Sequence, residues 1–146
     1  MTAVDPDPQR RKLAMDMGAT DVAASVSEVK ADGYDAAIEC VGRPDLLQQC
    51  QSAVRRRGRI VISGACAEPI GIEPVTALLK ELTIRFSVCY RPDEFREVID
   101  AFGTGAIDPA PLLRPTVGLN GVAAAFDLVR SADVQGRVLV TPGQSM

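Results

Sequence analysis

The sequence predicts an α/β fold of the doubly wound, parallel-sheet class. Short apolar segments typical of strands alternate with helix-length segments along the chain, and this order requires parallel pairing through crossover connections. Residues 59–63 form an apolar run of the kind found in strands that are buried on both faces. No linker, repeat or low-complexity tract interrupts the 146 residues, so we expect one domain over residues 1–146.

Local signals place each element in order. A short strand at residues 2–4 is followed by Asp7, a candidate N-cap, and by Pro8, which is suited to a first helical turn, and Gly18 ends that helix. Further strands are expected at residues 21–24, 34–41, 59–63, 82–88 and 136–140, further helices at 25–30, 44–54, 75–80, 92–102 and 119–131, and an extended segment at 113–117.

Composition excludes several classes of function. The net charge of -3 gives no general attraction to nucleic acid or to acidic membranes. No apolar run is long enough to span a membrane, and the polar start shows no signal peptide, so we expect a cytoplasmic protein. The basic run at residues 55–59 is expected at a helix end and the following turn, where it offsets the helix dipole and stays solvated.

The cysteines and the missing histidine limit the chemistry further. The chain has no histidine, so it contains no Ser-His-Asp or Cys-His mechanism. The four cysteines form no C-x-x-C pair, which argues against a zinc site. We expect all four to be buried free thiols, and these are Cys40, Cys50, Cys66 and Cys89.

Asp5 ends the first expected strand. A dinucleotide-binding fold places an acid there to accept both ribose hydroxyls, and such an acid favours NAD over NADP because it repels a 2′-phosphate. The same residue could instead be an ordinary helix-entry acid near a dipole end. Arg10 and Arg11 keep NADP open as the less favoured alternative.

The glycine-rich phosphate loop that should lie about 20 residues before such an acid is absent. The expected fold is therefore Rossmann-like but incomplete, since it lacks its first βα unit. Because that unit supplies a central strand, the two flanking strands would be left with unpaired backbone. We expect association with another copy or a rearranged N-terminal third, and not a regular monomeric six-stranded sheet.

Ligands of open parallel sheets bind beyond the carboxyl ends of the strands. That rule selects Asp5, Val41 with Gly42, residues 63–65 and residues 87–89. The two glycines at equivalent strand ends, Gly42 and Gly64, fit either close approach of a flat ligand or a tight turn with positive φ. Taken together, they modestly favour a ligand crevice.

Four segments together resemble the coenzyme domain of the zinc-type medium-chain alcohol and polyol dehydrogenases. They are VDPDPQRRKLAMDMGATDV (4–22), YDAAIECVG (34–42), RGRIVISG (57–64) and the tail AFDLVRS…GRVLV (125–140). The resemblance implies an NAD-dependent oxidoreductase in which hydride passes between an alcohol and nicotinamide. The zinc-bearing catalytic domain of that family is expected to be absent from residues 1–146, which leaves a partial dinucleotide-binding domain without metal ligands.

The resemblance also implies roles for individual residues. Asp5 and Arg10 would bind the adenosine ribose, Arg43 and Val41 would lie by the adenine and the coenzyme ribose, and Arg137 would approach the pyrophosphate. Ser63 and Ala65 would line the nicotinamide, while Ser87 and Cys89 would complete a main-chain clamp on its carboxamide. No catalytic residue is assigned, and residues 65–88 would form a homodimer contact.

Two functions remain open from the sequence. The first is the coenzyme-binding portion of an NAD-dependent alcohol or polyol dehydrogenase, inactive as an isolated chain and weak in coenzyme binding. The alternative is a non-catalytic nucleotide-binding or dimerisation module.

Overall fold

The computed structural model describes residues 1–114, 116–130 and 136–143. The strands in chain order are β1 (Thr2–Val4), β2 (Asp21–Ala23), β3 (Tyr34–Glu39), β4 (Val54–Ile62) and β5 (Thr83–Phe86). The α-helices are α1 (Pro8–Asp16), α2 (Leu46–Ala53), α3 (Pro74–Leu79), α4 (Pro92–Gly103) and α5 (Val122–Arg130). Short 3-10 turns occupy Val26–Glu28, Ala110–Leu112 and Leu119–Gly121.

The chain divides into two compact units. The terminal unit comprises Met1–Val22 and Pro92–Met146, and the central unit comprises Ala23–Arg91. Within the described residues, the strands form a two-stranded sheet, β1-β2, and a three-stranded sheet, β3-β4-β5. Neither of these sheets in the described part of the chain has more than three strands.

The terminal unit begins with β1 and α1, whose junction matches the sequence signals. The Asp7 side chain accepts a hydrogen bond from the Gln9 amide at 2.8 Å, and Pro8 occupies the first helical turn. Gly18 has a φ of 94° and its amide donates to the Met15 carbonyl, so it ends the helix as predicted. These contacts fix the direction in which the chain leaves Asp5.

The later part of the terminal unit departs from the prediction. No regular strand forms at residues 136–140, because the pairing there consists of two isolated parallel bridges, Leu113 with Arg137 and Val117 with Val140. The helix expected at 119–131 begins with a 3-10 turn and becomes α-helical only at Val122. Its expected end at residue 131 and position 115 of the extended segment lie outside the described residues.

The central unit is a parallel sheet packed on one helix. Strand β4 pairs with β3 and β5 in parallel, with Val61 aligned to Ile38 on one side and to Arg85 on the other. Helix α2 supplies Leu47 and Cys50 to a core that also contains Val54, Ile60 and Ile62. This packing fixes the carboxyl ends of β3 and β4 side by side, since parallel strands end at the same edge.

Strand β4 is buried on one face and not on both, which corrects the prediction for residues 59–63. Ile60 and Ile62 are 0% and 3% exposed, whereas Arg59, which lies on the opposite face of β4, is exposed. The register places Ile38, Arg59 and Arg85 on the second face, where the two guanidinium groups stay in solvent. Two charged side chains on one face are incompatible with full burial.

Strand β4 also begins earlier than predicted, at Val54, so the basic run lies within the strand and not at a helix end. The reason is tertiary. Arg55 pairs with Asp35 at 2.6 Å, and both Arg56 and Arg57 pair with Glu81. Other elements are also shorter than expected: the helix at 44–54 begins at Leu46, and the one at 25–30 is only the 3-10 turn. The strand expected at 34–41 ends at Glu39, and the one expected at 82–88 spans only Thr83–Phe86.

Among the described residues, no helix combines the length and the apolar character needed to cross a membrane.

Candidate functional site

The carboxyl ends of β3 and β4 meet in a tightly packed pair of turns. Gly42 has a φ of 82°, and a Cβ atom added there would collide with the Ala65 main chain. A Cβ added at Gly64 would collide with the Gly42 amide and lie 2.7 Å from the Val41 carbonyl carbon. The glycines are therefore required where one backbone crosses another, and Gly42 also needs its positive φ.

Glu39, the last residue of β3, is a buried acid beneath these turns. It is only 5% exposed, and its Oε1 accepts hydrogen bonds from the Val41 amide at 2.7 Å and the Gly42 amide at 2.8 Å. Its main-chain oxygen accepts from the Ser63 and Gly64 amides at 2.8 and 3.0 Å. Sequence reasoning assigned no role to Glu39, although an acid that ends an apolar strand is a visible signal.

The residues predicted to contact a coenzyme in the central unit share this edge. They lie after the carboxyl ends of β3, β4 and β5, and all are exposed: Val41, Arg43, Ser63, Ala65, Ser87 and Cys89. Val41 exposes 65% of its surface. Arg43 is held beside this edge by two hydrogen bonds of 3.0 Å to the Asp45 carboxylate.

The chain adopts a backbone conformation that is rare for a non-glycine residue just after β5. The Ser87 amide donates to the Ile62 carbonyl at 2.9 Å, which extends the parallel pairing by one residue. Cys89 then adopts a φ of 54°, a conformation that non-glycine residues rarely take. Such strained positions often occur at functional sites.

Asp5 and Arg10 lie together in the terminal unit. The Asp5 Oδ1 accepts from the Asp7 amide at 2.9 Å, and its Oδ2 is 3.8 Å from the Arg10 guanidinium. Arg11 donates to the main-chain oxygens of Asp5 and Pro6 at 2.6 and 2.9 Å, so its guanidinium braces the end of β1. One carboxylate oxygen of Asp5 thus keeps acceptor capacity, while Arg11 is engaged locally.

Arg137 also belongs to the terminal unit. Its amide donates to the Leu112 carbonyl, and its own carbonyl accepts from the Arg114 amide at 2.9 Å. Its side chain is exposed. The main chain is therefore fixed while the guanidinium reaches solvent.

The cysteines are free, but only one is buried, which corrects the expectation of four buried thiols. Cys50 is buried, Cys66 is half-buried, and Cys40 and Cys89 are exposed. Burial, followed by the nearby Glu39 carboxylate and then Cys40, raises the pKa of Cys50 to about 11. Cys40 and Cys89 are exposed because they lie at strand ends that open to solvent and not inside the core.

The chain's donor set does not fit a zinc ion. Among the described residues, no group of three or more His, Cys, Asp or Glu side chains is placed to hold a metal. Histidine, a common zinc ligand, is missing from the whole sequence. The residues beyond the strand ends, by contrast, are exposed, and open parallel sheets bind their ligands at such an edge.

Comparison with known proteins assigns the family. The pattern of a family described as "Zinc-binding dehydrogenase" matches residues 1–104. The (R,R)-butanediol dehydrogenase of Bacillus subtilis (strain 168) is 27% identical over 149 residues, covering 96% of this chain and 43% of that protein.

Solved structures agree with this assignment. A protein assigned as a zinc-binding dehydrogenase from Sinorhizobium meliloti 1021, bound to NADP, superposes with a TM-score of 0.84 and 28% identity, over 97% of this chain and 44% of that one. An alcohol dehydrogenase from E. coli CFT073 complexed with NADH superposes with a TM-score of 0.81 over 95% of this chain and 43% of that one. At 24% identity, the second likeness shows the fold alone.

This chain belongs to the zinc-binding dehydrogenase family and has the mixed α/β, Rossmann-like fold of its coenzyme-binding part. It spans about 43% of the length of the B. subtilis relative. The predicted family and fold class are confirmed.

Proposed function

We propose that this chain is the coenzyme-binding portion of an NAD-dependent alcohol or polyol dehydrogenase. The carboxyl edge of the central unit supports this proposal best, because it places exposed residues that follow three neighbouring strands along one edge. Open parallel sheets bind their ligands at such an edge. When bound, a nicotinamide dinucleotide accepts or donates the hydride.

The proposed contacts involve residues that are exposed at the strand ends. Ser63 and Ala65 lie beside the Gly42–Gly64 crossing, and Ser87 and Cys89 lie after β5. We assign these four residues to the nicotinamide carboxamide. Val41 and Arg43 are assigned to the adenine side of the coenzyme, and Arg137 to its pyrophosphate.

The preference for NAD rests on Asp5. Its Oδ2 can accept hydrogen bonds from the ribose hydroxyls, with Arg10 at 3.8 Å to support the same sugar. A 2′-phosphate would meet the negative carboxylate instead. The Sinorhizobium relative holds NADP, so the choice of coenzyme needs a direct test in this chain.

Fluorescence titration with NADH and NADPH provides that test. We expect weak binding that favours NADH, because residues 1–146 carry no glycine-rich phosphate turn. Asp5→Ala should weaken NADH binding by about tenfold or more, the effect of losing a charged hydrogen bond. Asp5→Asn keeps an acceptor for the Asp7 amide and should narrow the difference between NADH and NADPH.

Asp16→Ala is the matched control, since within the described part of the chain that acid bonds only Lys12, on the exposed side of α1. Equal loss of NADH affinity in the Asp5 and Asp16 variants would contradict the proposal.

We also propose that the 146-residue chain is inactive towards alcohols, because its described residues supply neither a zinc site nor a proton relay.

We further propose a homodimer that uses residues 65–88. Helix α3 and the end of β5 present exposed apolar side chains in this stretch, including Val75, Leu78, Leu79, Phe86 and Val88. A cluster of exposed apolar residues on one unit favours a dimerisation role alongside coenzyme binding.

A further inference from the structure

Glu39 is a buried charged side chain that the proposed coenzyme contacts do not use. Burying a carboxylate costs free energy unless hydrogen bonds replace the water it loses. At Glu39, two hydrogen bonds replace the lost water at one carboxylate oxygen, because Oε1 accepts from both the Val41 and the Gly42 amides. The carboxylate is therefore bound to the turn after β3 through Oε1.

The same residue also holds the neighbouring turn. Its main-chain oxygen accepts from the Ser63 and Gly64 amides, which begin the turn after β4. Four amides from two turns thus converge on one residue. The packing leaves little room for adjustment, because a Cβ atom added at Gly64 would lie 2.7 Å from Glu39 Oε2.

We infer that Glu39 is the positioning residue of the coenzyme edge: its carboxylate holds the Val41–Gly42 turn in register with the Ser63–Ala65 turn. This inference rests on the proposed function for its link to coenzyme. Glu39 does not touch the ligand itself, since it lies beneath the turns and is only 5% exposed. It acts through the main chain of the residues assigned to binding.

A chain without this carboxylate would keep the fold of β3 and β4 but lose the fixed turn geometry. The sheet core of Ile60, Ile62, Leu47 and Val54 does not depend on Oε1. The Val41 and Gly42 amides would instead bond to water at the open edge of the sheet. The turn would then sample several conformations, of which only a fraction would suit the coenzyme.

Amide hydrogen exchange followed by NMR tests the inference in the 146-residue chain. In Glu39→Ala, exchange at Val41 and Gly42 should accelerate by about ten- to a hundredfold, since hydrogen bonds to a charged acceptor are lost. Exchange at Ser63 and Gly64, whose acceptor is main chain, should change far less. Glu39→Gln retains a neutral acceptor oxygen and should restore most of the protection.

Coenzyme affinity supplies the second readout. The NADH dissociation constant should rise by about tenfold in Glu39→Ala and recover in Glu39→Gln. Asp16→Ala is the control, because the Asp16 carboxylate pairs with Lys12 within α1 and belongs to neither the proposed coenzyme contacts nor the proposed dimer contact. It should leave both readouts unchanged.

Uniform acceleration at Ser63, Gly64 and the core amides would show general destabilisation and overturn the inference. Unchanged exchange at Val41 and Gly42 would overturn it too, as would altered exchange with an unchanged dissociation constant. If Glu39→Ala fails to fold, Glu39→Gln decides: a few-fold acceleration confined to Val41 and Gly42 supports the inference, and none overturns it. A wild-type chain that binds no NADH refutes the proposed function, whereas the exchange pattern still decides whether Glu39 fixes the turns.

Discussion

Cys50 shows how the buried carboxylate affects its surroundings. The thiol lies in the core with Leu47 and Ile60, and its pKa rises from 9.0 to about 11. Burial is the largest cause and the Glu39 charge the next. Because the folded state holds the proton more tightly, the stability linked to Cys50 is fully present below pH 9 and is lost as the pH rises towards 11.

Iodoacetamide labelling followed by mass spectrometry should reveal this difference at pH 8. Cys50 should react at least about a hundredfold more slowly in the folded chain than in urea, because the rise of its pKa from 9.0 to about 11 lowers its thiolate fraction and burial hinders access further, whereas exposed Cys89 should change far less. Labelling in urea is the control, where both thiols should react at similar rates. Equal rates in the folded chain would contradict this arrangement.

The sequence identified several site residues but not their packing. Gly42 and Gly64 stand out as glycines that follow apolar strands, so their turns could be predicted. The crossing of the Gly42 and Ala65 backbones could not, because it depends on the register of two strands that lie more than 20 residues apart. Glu39 was missed although it ends an apolar strand, because the Ser63 and Gly64 amides that bond its main-chain oxygen are brought to it only by the register of β3 and β4.

At the scale of elements, the side chain of Lys80 caps the carboxyl end of helix α2. The Lys80 Nζ donates to the Gln51 and Val54 carbonyls at 2.7 and 2.9 Å and to the Ser52 carbonyl at 3.2 Å. It also pairs with Asp32 at 2.7 Å. A cation here satisfies carbonyls that a helix leaves unbonded and offsets the negative end of its dipole.

Lys80→Met should therefore lower the free energy of unfolding by about 2 kcal/mol, the order expected for losing charged hydrogen bonds at a half-buried site. Urea denaturation followed by circular dichroism measures this change. Lys12→Met is the matched control. Lys12 is 77% exposed and, among the residues that the structure describes, pairs only with Asp16, so its loss should cost less than about 0.5 kcal/mol. Equal losses in the two variants would refute a capping role.

Element order was predictable because periodicity and helix-capping signals are local. The start of β4 was not, since three consecutive arginines are unusual in a strand. These arginines form ion pairs with Asp35 of β3 and with Glu81, which lies just before β5. Arg57 and Glu81 also share positive φ values of 60° and 52°, a pairing that no local pattern indicates.

At the scale of the molecule, the surface of the central unit is unusually apolar along α3 and β5. Leu78 exposes 75% of its surface and Val88 exposes 87%. Strand β5 is also the last strand of its sheet in the described residues, so its outer main chain can pair with another strand. A second copy of the chain offers the same edge and the same apolar residues, which suits a two-fold contact.

Sedimentation velocity over a range of protein concentrations should show a reversible dimer of this 15.5 kDa chain. Val88→Lys should raise the dimer dissociation constant by about tenfold or more, because it places a charge on the exposed apolar surface of the proposed contact. The monomer should keep its stability, since Val88 is almost fully exposed. Leu119→Lys, at an exposed site in the terminal unit, should leave the dimer intact. A wild-type chain that stays monomeric, or a dimer that tolerates Val88→Lys, would remove residues 65–88 from the interface.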